Sequence, residues 1–177
     1  MRRNCWLWMP AVRGKTREYI EMTEKKKLLV FDLDGTLLND DKDITPRTRA
    51  AIKRAREKGY AVCFASGRCE EMMSIYRDAV GGCDYLVSCN GAMTRSLADR
   101  AVIQKQYLGA GEVNRVLAYL FGRRMDFMMY SREEMYFSAY SDKLRRRVGD
   151  YEELSAAWGF PVKLRARGLD TPDLRER

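Results

Sequence analysis

Two aspartates, Asp32 and Asp34, end the apolar part of the run Leu28-Leu-Val-Phe-Asp-Leu-Asp-Gly-Thr-Leu-Leu38. A carboxylate at the first position can attack phosphorus and become an aspartyl phosphate. A carboxylate at the second position can protonate the leaving oxygen and then activate water. Gly35, followed by Thr36, permits a tight turn that brings backbone N–H groups toward a phosphate. The full run therefore predicts phosphoryl transfer, whereas an Asp-x-Asp pair alone would favour an ordinary acidic turn.

The residue types elsewhere in the chain narrow the chemistry further. The 177 residues include no histidine, which excludes Ser-His-Asp hydrolysis, Cys-His hydrolysis and His-ligated metal sites. Catalysis must therefore use carboxylates, lysines or a metal held by oxygen, and an anionic nucleophile that approaches an anionic ester favours Mg²⁺. The five cysteines form no Cys-x-x-Cys pair, so we interpret Cys63, Cys69 and Cys89 as structural residues and predict no zinc site.

The elements that must position these residues begin with two strands and a helix. Leu28–Asp32 is an apolar run that suits a buried strand. Thr45-Pro46 predicts the start of a helix, with threonine as the N-cap and proline at the first helical position. The helix is predicted to reach Lys58 and to end at Gly59, and Tyr60–Ala65 is a second buried strand.

A second helix and a third strand complete this pattern. The helix covers about residues 69–79, and its apolar residues recur at helical spacing, namely Met72, Ile75, Tyr76 and Ala79. Asp84–Ser88 is the third strand, and the alternation of strands and helices predicts an α/β fold with a parallel sheet. Ser66-Gly67-Arg68 and Asn90-Gly91 follow the second and third strands. Because such loops meet beyond the carboxyl ends of parallel strands, we expect them to converge with the aspartate pair in one crevice.

The pattern changes after Ala92 and predicts an inserted α+β region. Val102–Leu108 is a predicted strand, and Phe127–Tyr130 with Met135–Ala139 predicts an antiparallel hairpin. Two further helices are predicted over residues 111–121 and 141–157. Their predicted apolar faces consist of Val113, Val116, Leu117, Leu120 and Phe121 in the first, and Leu144, Val148, Tyr151 and Leu154 in the second. From Lys163 onward 8 of 15 residues are charged, and no regular element is predicted.

These motifs together resemble the haloacid dehalogenase (HAD) superfamily of hydrolases, specifically its Cof-type, sugar-phosphatase-like subfamily IIB. Asp32-x-Asp34-Gly-Thr36 matches the first motif, which implies Asp32 as the nucleophile and Asp34 as the acid/base. Ala65–Arg68 matches the second motif, in which Ser66 would hydrogen-bond the phosphoryl group. The resemblance implies Mg²⁺ held by Asp32 and Asp34, and a small phosphorylated substrate such as a sugar phosphate. The implied phosphate- or substrate-binding residues are Gly35, Thr36, Ser66, Gly67, Arg68, Asn90 and Gly91.

The resemblance also predicts a division of the chain. Residues 28–92 correspond to the first half of an incomplete, Rossmann-like parallel sheet core, and residues 93–160 to a partial α+β cap inserted into it. Residues 1–27 are predicted to be a disordered or misassigned extension, with Met22 as the true start. Residues 161–177 are predicted to be an aberrant or disordered tail.

The family pattern continues with two features that the sequence does not contain. These are a lysine that neutralises nucleophile and phosphate, and a Gly-Asp-x-x-Asn-Asp loop that completes the magnesium site. Gly149-Asp150 lies inside a predicted helix, and Lys163 has no metal loop after it. We therefore expect a C-terminal truncation, by frameshift or premature stop, that leaves little or no turnover. We also expect it to leave residues 28–31 as an exposed apolar edge.

Charge and hydropathy limit the possible partners. The net charge is +8, but residues 1–27 hold 8 Lys/Arg against 3 Asp/Glu and residues 143–177 hold 9 against 6, so that the residues between hold 16 of each. The balanced charge of residues 28–142 and the lack of recognition motifs argue against binding of nucleic acid. No apolar run is long enough to span a membrane, and we expect a cytoplasmic protein whose oligomeric state is not predicted. The alternatives are a catalytically incompetent fragment and a receiver-type signalling domain, against which the hairpin-bearing insertion argues.

Overall fold

The computed structural model describes residues 27–131 and 134–172. These residues form two β-sheets and four α-helices. The predicted extension up to residue 26, including Met22 as a start, and residues 173–177 of the predicted tail lie outside the described residues. None of the helices in the described ranges combines the length and the apolar character that a membrane span requires.

The first sheet begins with the three predicted parallel strands. They are β1 (Leu28–Phe31), β2 (Ala61–Ala65) and β3 (Tyr85–Ser88), which pair in that order. Two antiparallel strands follow on the far side of β3, namely β4 (Met93–Ser96) and β5 (Val102–Lys105). The described sheet is therefore mixed, with the order β1-β2-β3-β4-β5.

The sequence did not predict β4. Its four residues, Met-Thr-Arg-Ser, are all half-buried and show no apolar alternation, so that the pairing with β3 and β5 rather than a local pattern makes them a strand. The boundary predicted between residues 92 and 93 consequently falls inside a continuous hydrogen-bonded sheet. The division of the chain into a core and a cap remains a prediction.

Two helices cover the first sheet and close its core. Helix α1 (Pro46–Glu57) has Thr45 as its N-cap, and Gly59 beyond its end has φ +80°, as the sequence predicts. Helix α2 (Glu70–Ala79) buries Ile75 and Tyr76 completely. Burial of these apolar faces against the strands holds the sheet rigid, and with it the loops at the carboxyl ends of the strands.

The second sheet contains the predicted hairpin and one further strand. Strands β6 (Met128–Tyr130) and β7 (Met135–Ser138) are antiparallel, and β8 (Ala166–Leu169) pairs with β7 in parallel. Helix α3 (Ala110–Gly122) precedes the hairpin, and helix α4 (Asp142–Ala157) connects β7 to β8. This connection from one parallel strand to the next requires a long crossover, which α4 provides.

Two expectations about this region are wrong. Strand β8 lies where no element was predicted, and Leu164 and Leu169 near it are buried at 6% and 1% exposure. The four residues of β8 include Arg167 and Gly168, which hide the strand from a pattern-based prediction. In α3, Leu117 is buried as expected, but Val116 is 48% exposed because it lies at the margin of the apolar face.

The two sheets share the larger of two hydrophobic clusters in the described residues; the smaller cluster is formed by Leu117, Phe127 and Leu169. Met135, Tyr151 and Leu164 from the second half of the chain pack in the same buried cluster as Leu33 and Phe64. The Tyr151 hydroxyl donates a hydrogen bond of 3.3 Å to the backbone oxygen of Glu71 on α2. Aromatic contact reinforces the junction, since the ring of Trp158 meets that of Tyr76 edge-on at 5.5 Å between centroids.

Candidate active site

The loop after β1 exposes its polar residues over buried leucines. Leu33 and Leu37 are buried, whereas Asp32 and Asp34 are exposed. The Asp32 Oδ1 atom accepts a hydrogen bond of 2.8 Å from the Leu33 backbone N–H, which fixes the direction of the carboxylate. Gly35 has φ +73°, a conformation that strains residues with a Cβ, so the predicted need for glycine in this turn is confirmed.

The loop after β2 binds the first loop through an ion pair. Arg68 donates from Nε to Asp34 Oδ2 at 2.9 Å and from Nη2 to Asp34 Oδ1 at 2.8 Å. Its guanidinium lies 5.2 Å from the centroid of the Tyr76 ring, and this cation–π contact helps to hold the Arg68 side chain in place. Within the loop, the backbone N–H of Arg68 donates to the Ser66 Oγ atom at 3.3 Å, and Ser66 is only 9% exposed. The two hydrogen bonds from Arg68 to Asp34 fix the orientation of the two side chains as well as the distance between them.

The loop after β3 interlocks with the loop after β2. The backbone N–H of Asn90 donates to the Ser66 carbonyl at 3.2 Å, and that of Cys89 donates to the Arg68 carbonyl at 2.9 Å. A Cβ atom placed on Gly67 would lie 2.9 Å from the Asn90 Oδ1 atom, so a larger residue here would require the Asn90 side chain to shift. Cys89, Asn90 and Gly91 all have positive φ, at 50°, 56° and 91°. Three consecutive residues in this region make the turn unusual and specific.

The three predicted loops therefore lie at one end of the first sheet, with direct contacts between the first and second and between the second and third. Within the described ranges, Asp32 and Thr36 form no hydrogen bond to the other two loops, although both belong to the loop that holds Asp34. The catalytic and binding roles of these residues remain predictions.

The ion pair sets the protonation state of Asp34. Hydrogen bonds from Arg68, opposed by partial burial and aided by Lys42, lower the pKa of Asp34 from 3.8 to about 2. The Lys42 Nζ atom lies 3.1 Å from Asp34 Oδ1. The ion pair therefore stabilises the ionised form of Asp34 and opposes the protonation that a general acid needs. Sequence analysis missed Lys42, whose only signal is its position in the polar loop after the aspartate pair.

The donor atoms at this end of the sheet fit Mg²⁺ in part. Mg²⁺ commonly uses one or two carboxylates and fills its other positions with water and phosphate oxygens. Asp32 offers a carboxylate of this kind, whereas both oxygens of Asp34 bond Arg68 in this arrangement. Among the described residues no group of three or more His, Cys, Asp or Glu side chains surrounds a metal position. An ion here would rely mainly on Asp32, water and the substrate.

The cysteine next to the second loop is structural, as interpreted from the sequence. Cys69 is 5% exposed, and burial raises its pKa to about 12. Cys63 is likewise buried, whereas Cys89 is half-buried rather than buried. A thiol with a raised pKa is a poor nucleophile, so Cys69 does not compete with the aspartates for a catalytic role.

The fold and the three loops define a class of protein, and comparison with known families agrees. The chain belongs to the haloacid dehalogenase-like hydrolase family, whose model matches residues 29–156. This match confirms the family that the motifs indicated.

Individual relatives cover most of this chain but a smaller part of their own length. A Bacillus subtilis protein named 5-amino-6-(5-phospho-D-ribitylamino)uracil phosphatase is 29% identical over 168 residues, which are 87% of this chain and 61% of that protein. A solved haloacid dehalogenase-like hydrolase from Bacteroides thetaiotaomicron matches with a TM-score of 0.63 at 23% identity, covering 83% of this chain and 53% of that one.

A structure described as a HAD subclass IIB sugar phosphatase gives a TM-score of 0.58 at 18% identity and covers 81% of this chain and 53% of that one. The chain therefore spans between about half and three fifths of the length of these three relatives. The shared fold confirms the predicted α/β fold class.

Proposed function

We propose that the protein is a cytoplasmic, Mg²⁺-dependent phosphatase that acts on sugar phosphates or similar small phosphomonoesters through an aspartyl phosphate at Asp32. The observation that carries the proposal is the contact of Asp34 with Arg68, which joins two polar loops at the carboxyl ends of neighbouring parallel strands. Membership of a hydrolase family and a relative named as a phosphatase of a phosphorylated uracil derivative support it.

The proposed reaction has two steps. The Asp32 carboxylate attacks phosphorus, the bond from phosphorus to the leaving oxygen breaks, and Asp34 gives that oxygen a proton. Water then attacks the phosphorus of the aspartyl phosphate, Asp34 takes up a proton from it, and inorganic phosphate leaves Asp32. Ser66 and the backbone N–H groups near Gly35 would bind the phosphoryl oxygens. A Mg²⁺ ion held by Asp32, and by Asp34 once Arg68 has released it, would offset the negative charge between nucleophile and ester.

The first step needs a proton on Asp34, and the ion pair between Asp34 and Arg68 disfavours that proton. A phosphate dianion that enters the site offers Arg68 a second anionic partner, with the same two-point geometry that Asp34 now provides. Transfer of Arg68 to the phosphate would remove the main cause of the low pKa of Asp34. Asp34 would then take up a proton more readily than it does in the ion pair, so substrate binding would favour protonation of Asp34.

A second candidate function is phosphate binding without turnover. It is favoured by the sequence itself, which contains neither a Gly-Asp-x-x-Asn-Asp loop nor a lysine placed before one. Loss of one preorganised electrostatic element commonly lowers a rate by about 10²–10³. We therefore expect the 177-residue chain to turn over a phosphomonoester slowly at most.

Hydrolysis assays on matched variants test the proposal. Asp40 is an exposed aspartate in the loop that follows the site, so Asp40→Asn is a control for Asp32→Asn with the same charge change. We expect the slow Mg²⁺-dependent release of phosphate to disappear in Asp32→Asn and to persist in Asp40→Asn. Turnover that survives Asp32→Asn or needs no Mg²⁺ would contradict the proposal, and binding of phosphate without any turnover would favour the second candidate.

A further inference from the structure

A cavity of about 670 Å³ opens beside the three loops, between the first sheet and the hairpin of the second. Its wall includes Cys69 and Cys89, which are the chain neighbours of Arg68 and Asn90 in the candidate site. The volume falls within the range of about 300–1,000 Å³ that is usual for small-molecule sites. The cavity thus adjoins the second and third loops, and it is large enough for the organic part of a small ester.

Sulfur-containing, aromatic and aliphatic side chains dominate the wall. They include Met93, Tyr107, Leu108, Met128, Met129 and Tyr130. Thioethers and tyrosine rings make favourable contacts with the faces and edges of flat aromatic groups, and methionine adapts its shape to them.

Some polar groups of this mainly apolar wall are paired with each other. Arg95 Nε donates to Glu70 Oε2 at 2.8 Å, and the Tyr136 hydroxyl donates to Glu134 Oε2 at 2.7 Å. The Ser88 hydroxyl donates to the Met93 carbonyl at 3.4 Å. A sugar carries a hydroxyl on nearly every carbon, and each hydroxyl that leaves water without a partner is unfavourable. A wall of this composition therefore favours a ligand with few hydroxyl groups.

We propose that this cavity binds the organic part of the phosphomonoester and selects an aromatic ring over a polyhydroxylated sugar. The inference rests on the proposed function for the position of the phosphate, because the ring would lie in the cavity while the phosphate lies at the loops. It narrows the substrate class from small phosphomonoesters in general to those of aromatic alcohols or of alcohols that carry an aromatic ring.

Binding measurements on the full chain can test the cavity separately from catalysis. The probes are 4-methylumbelliferyl phosphate, its phosphate-free product 4-methylumbelliferone, and glucose 6-phosphate, each titrated in the presence of Mg²⁺. Tyr107 is 52% exposed and lines the cavity, so Tyr107→Ser removes a ring from the wall at little risk to the fold. Tyr119 is 55% exposed on α3 and does not line the cavity, so Tyr119→Ser is the matched control.

We expect the aromatic ester to bind about tenfold or more tightly than glucose 6-phosphate, and the phosphate-free fluorophore to bind in the same cavity. Tyr107→Ser should weaken the binding of both aromatic probes by about three- to tenfold and leave the binding of glucose 6-phosphate unchanged. Tyr107→Phe should bind both aromatic probes as tightly as the wild type does. Tyr119→Ser should change nothing.

Two results would overturn the inference: equal affinity for both esters, or equal effects of the Tyr107→Ser and Tyr119→Ser substitutions. Binding of the fluorophore that depends on Tyr107, without any hydrolysis of the ester, would uphold the cavity while contradicting the proposed function. Hydrolysis of both esters with no preference and no effect of Tyr107→Ser would uphold the proposed function and contradict the inference about the cavity.

Discussion

At the scale of single residues, the ion pair of Asp34 with Arg68 is the feature with the largest chemical consequence. It holds the predicted acid/base in its ionised form, with a pKa of about 2, and it occupies both carboxylate oxygens. A carboxylate in this state can accept a proton but has none to give at neutral pH. In the proposed reaction, this arrangement would precede the transfer of Arg68 to the phosphate of the substrate.

Replacement of the arginine should shift the titration of Asp34. In Arg68→Gln, the pKa of Asp34 should rise from about 2 toward its ordinary value of 3.8, because the main hydrogen-bond donor and a nearby positive charge are gone. Carboxyl ¹³C NMR titration measures this directly. Arg49→Gln is the control, since Arg49 pairs instead with Asp43, at 2.6 Å.

The same shift predicts a pH dependence of stability. A carboxyl whose pKa is lowered by folding stabilises the folded state above its unfolded pKa, and this stabilisation is lost as the pH falls through the folded value. The wild type should therefore lose a contribution between about pH 4 and pH 2 that Arg68→Gln lacks. Parallel acid-unfolding curves of the two proteins would contradict the assignment.

The sequence predicted the residues of the site better than their contacts. The loops at residues 32–36, 66–68 and 90–91 were predicted because turn residues follow apolar strands at three places. The pairing of Arg68 with Asp34 joins residues 34 apart, and that of Asp34 with Lys42 depends on a loop conformation. Both depend on side-chain direction in the folded chain, which local patterns do not contain.

At the scale of elements, strong local signals were reliable, whereas strands without an apolar pattern were missed. Helix α1 has a threonine N-cap, a proline and a terminal glycine, and its bounds agree with the prediction. Strands β4 and β8 have only four residues each, without apolar alternation, and they exist because β3 and β7 offer them backbone partners. Tertiary pairing of this kind overrides weak local preference.

The close packing of β8 on β7 can be tested with one methyl group. A Cβ on Gly168 would lie 3.1 Å from the Ala139 Cβ and 3.3 Å from its Cα, so Gly168→Ala should destabilise the protein by about 1 kcal/mol. Gly149 lies in α4 with no atom near the position of its Cβ, so Gly149→Ala should stabilise it by about 0.5–1 kcal/mol. Urea unfolding of both variants decides the matter, and stabilisation by Gly168→Ala would contradict the position of β8.

At the scale of the whole molecule, β1 is the outer strand of the first sheet in the part of the chain that the structure describes. Leu28 and Val30 on this strand are 50% and 51% exposed. Among the described strands, residues 28–31 therefore lie at an edge with apolar side chains, two of them exposed and two half-buried, as expected. Such an edge presents unpaired backbone groups beside apolar side chains and favours pairing with another chain.

A lysine on this edge should reduce self-association. Val30→Lys places a charge that must be desolvated when two edges pair, so we expect the weight-average mass at high protein concentration to fall toward that of the monomer. Val116→Lys introduces the same charge at a valine of similar exposure, 48%, on α3. Sedimentation velocity should show the decrease only for Val30→Lys, and an equal decrease in both variants would indicate a general effect of charge.

If Asp32 is the nucleophile of a phosphatase site, incubation with acetyl phosphate and Mg²⁺ should phosphorylate it, and mass spectrometry of the acid-quenched chain detects the product. We expect one phosphoryl group on the peptide that contains Asp32. The group should be absent without Mg²⁺ and in Asp32→Asn but present in Asp40→Asn. An unmodified Asp32, or a label that persists in Asp32→Asn, would contradict this expectation.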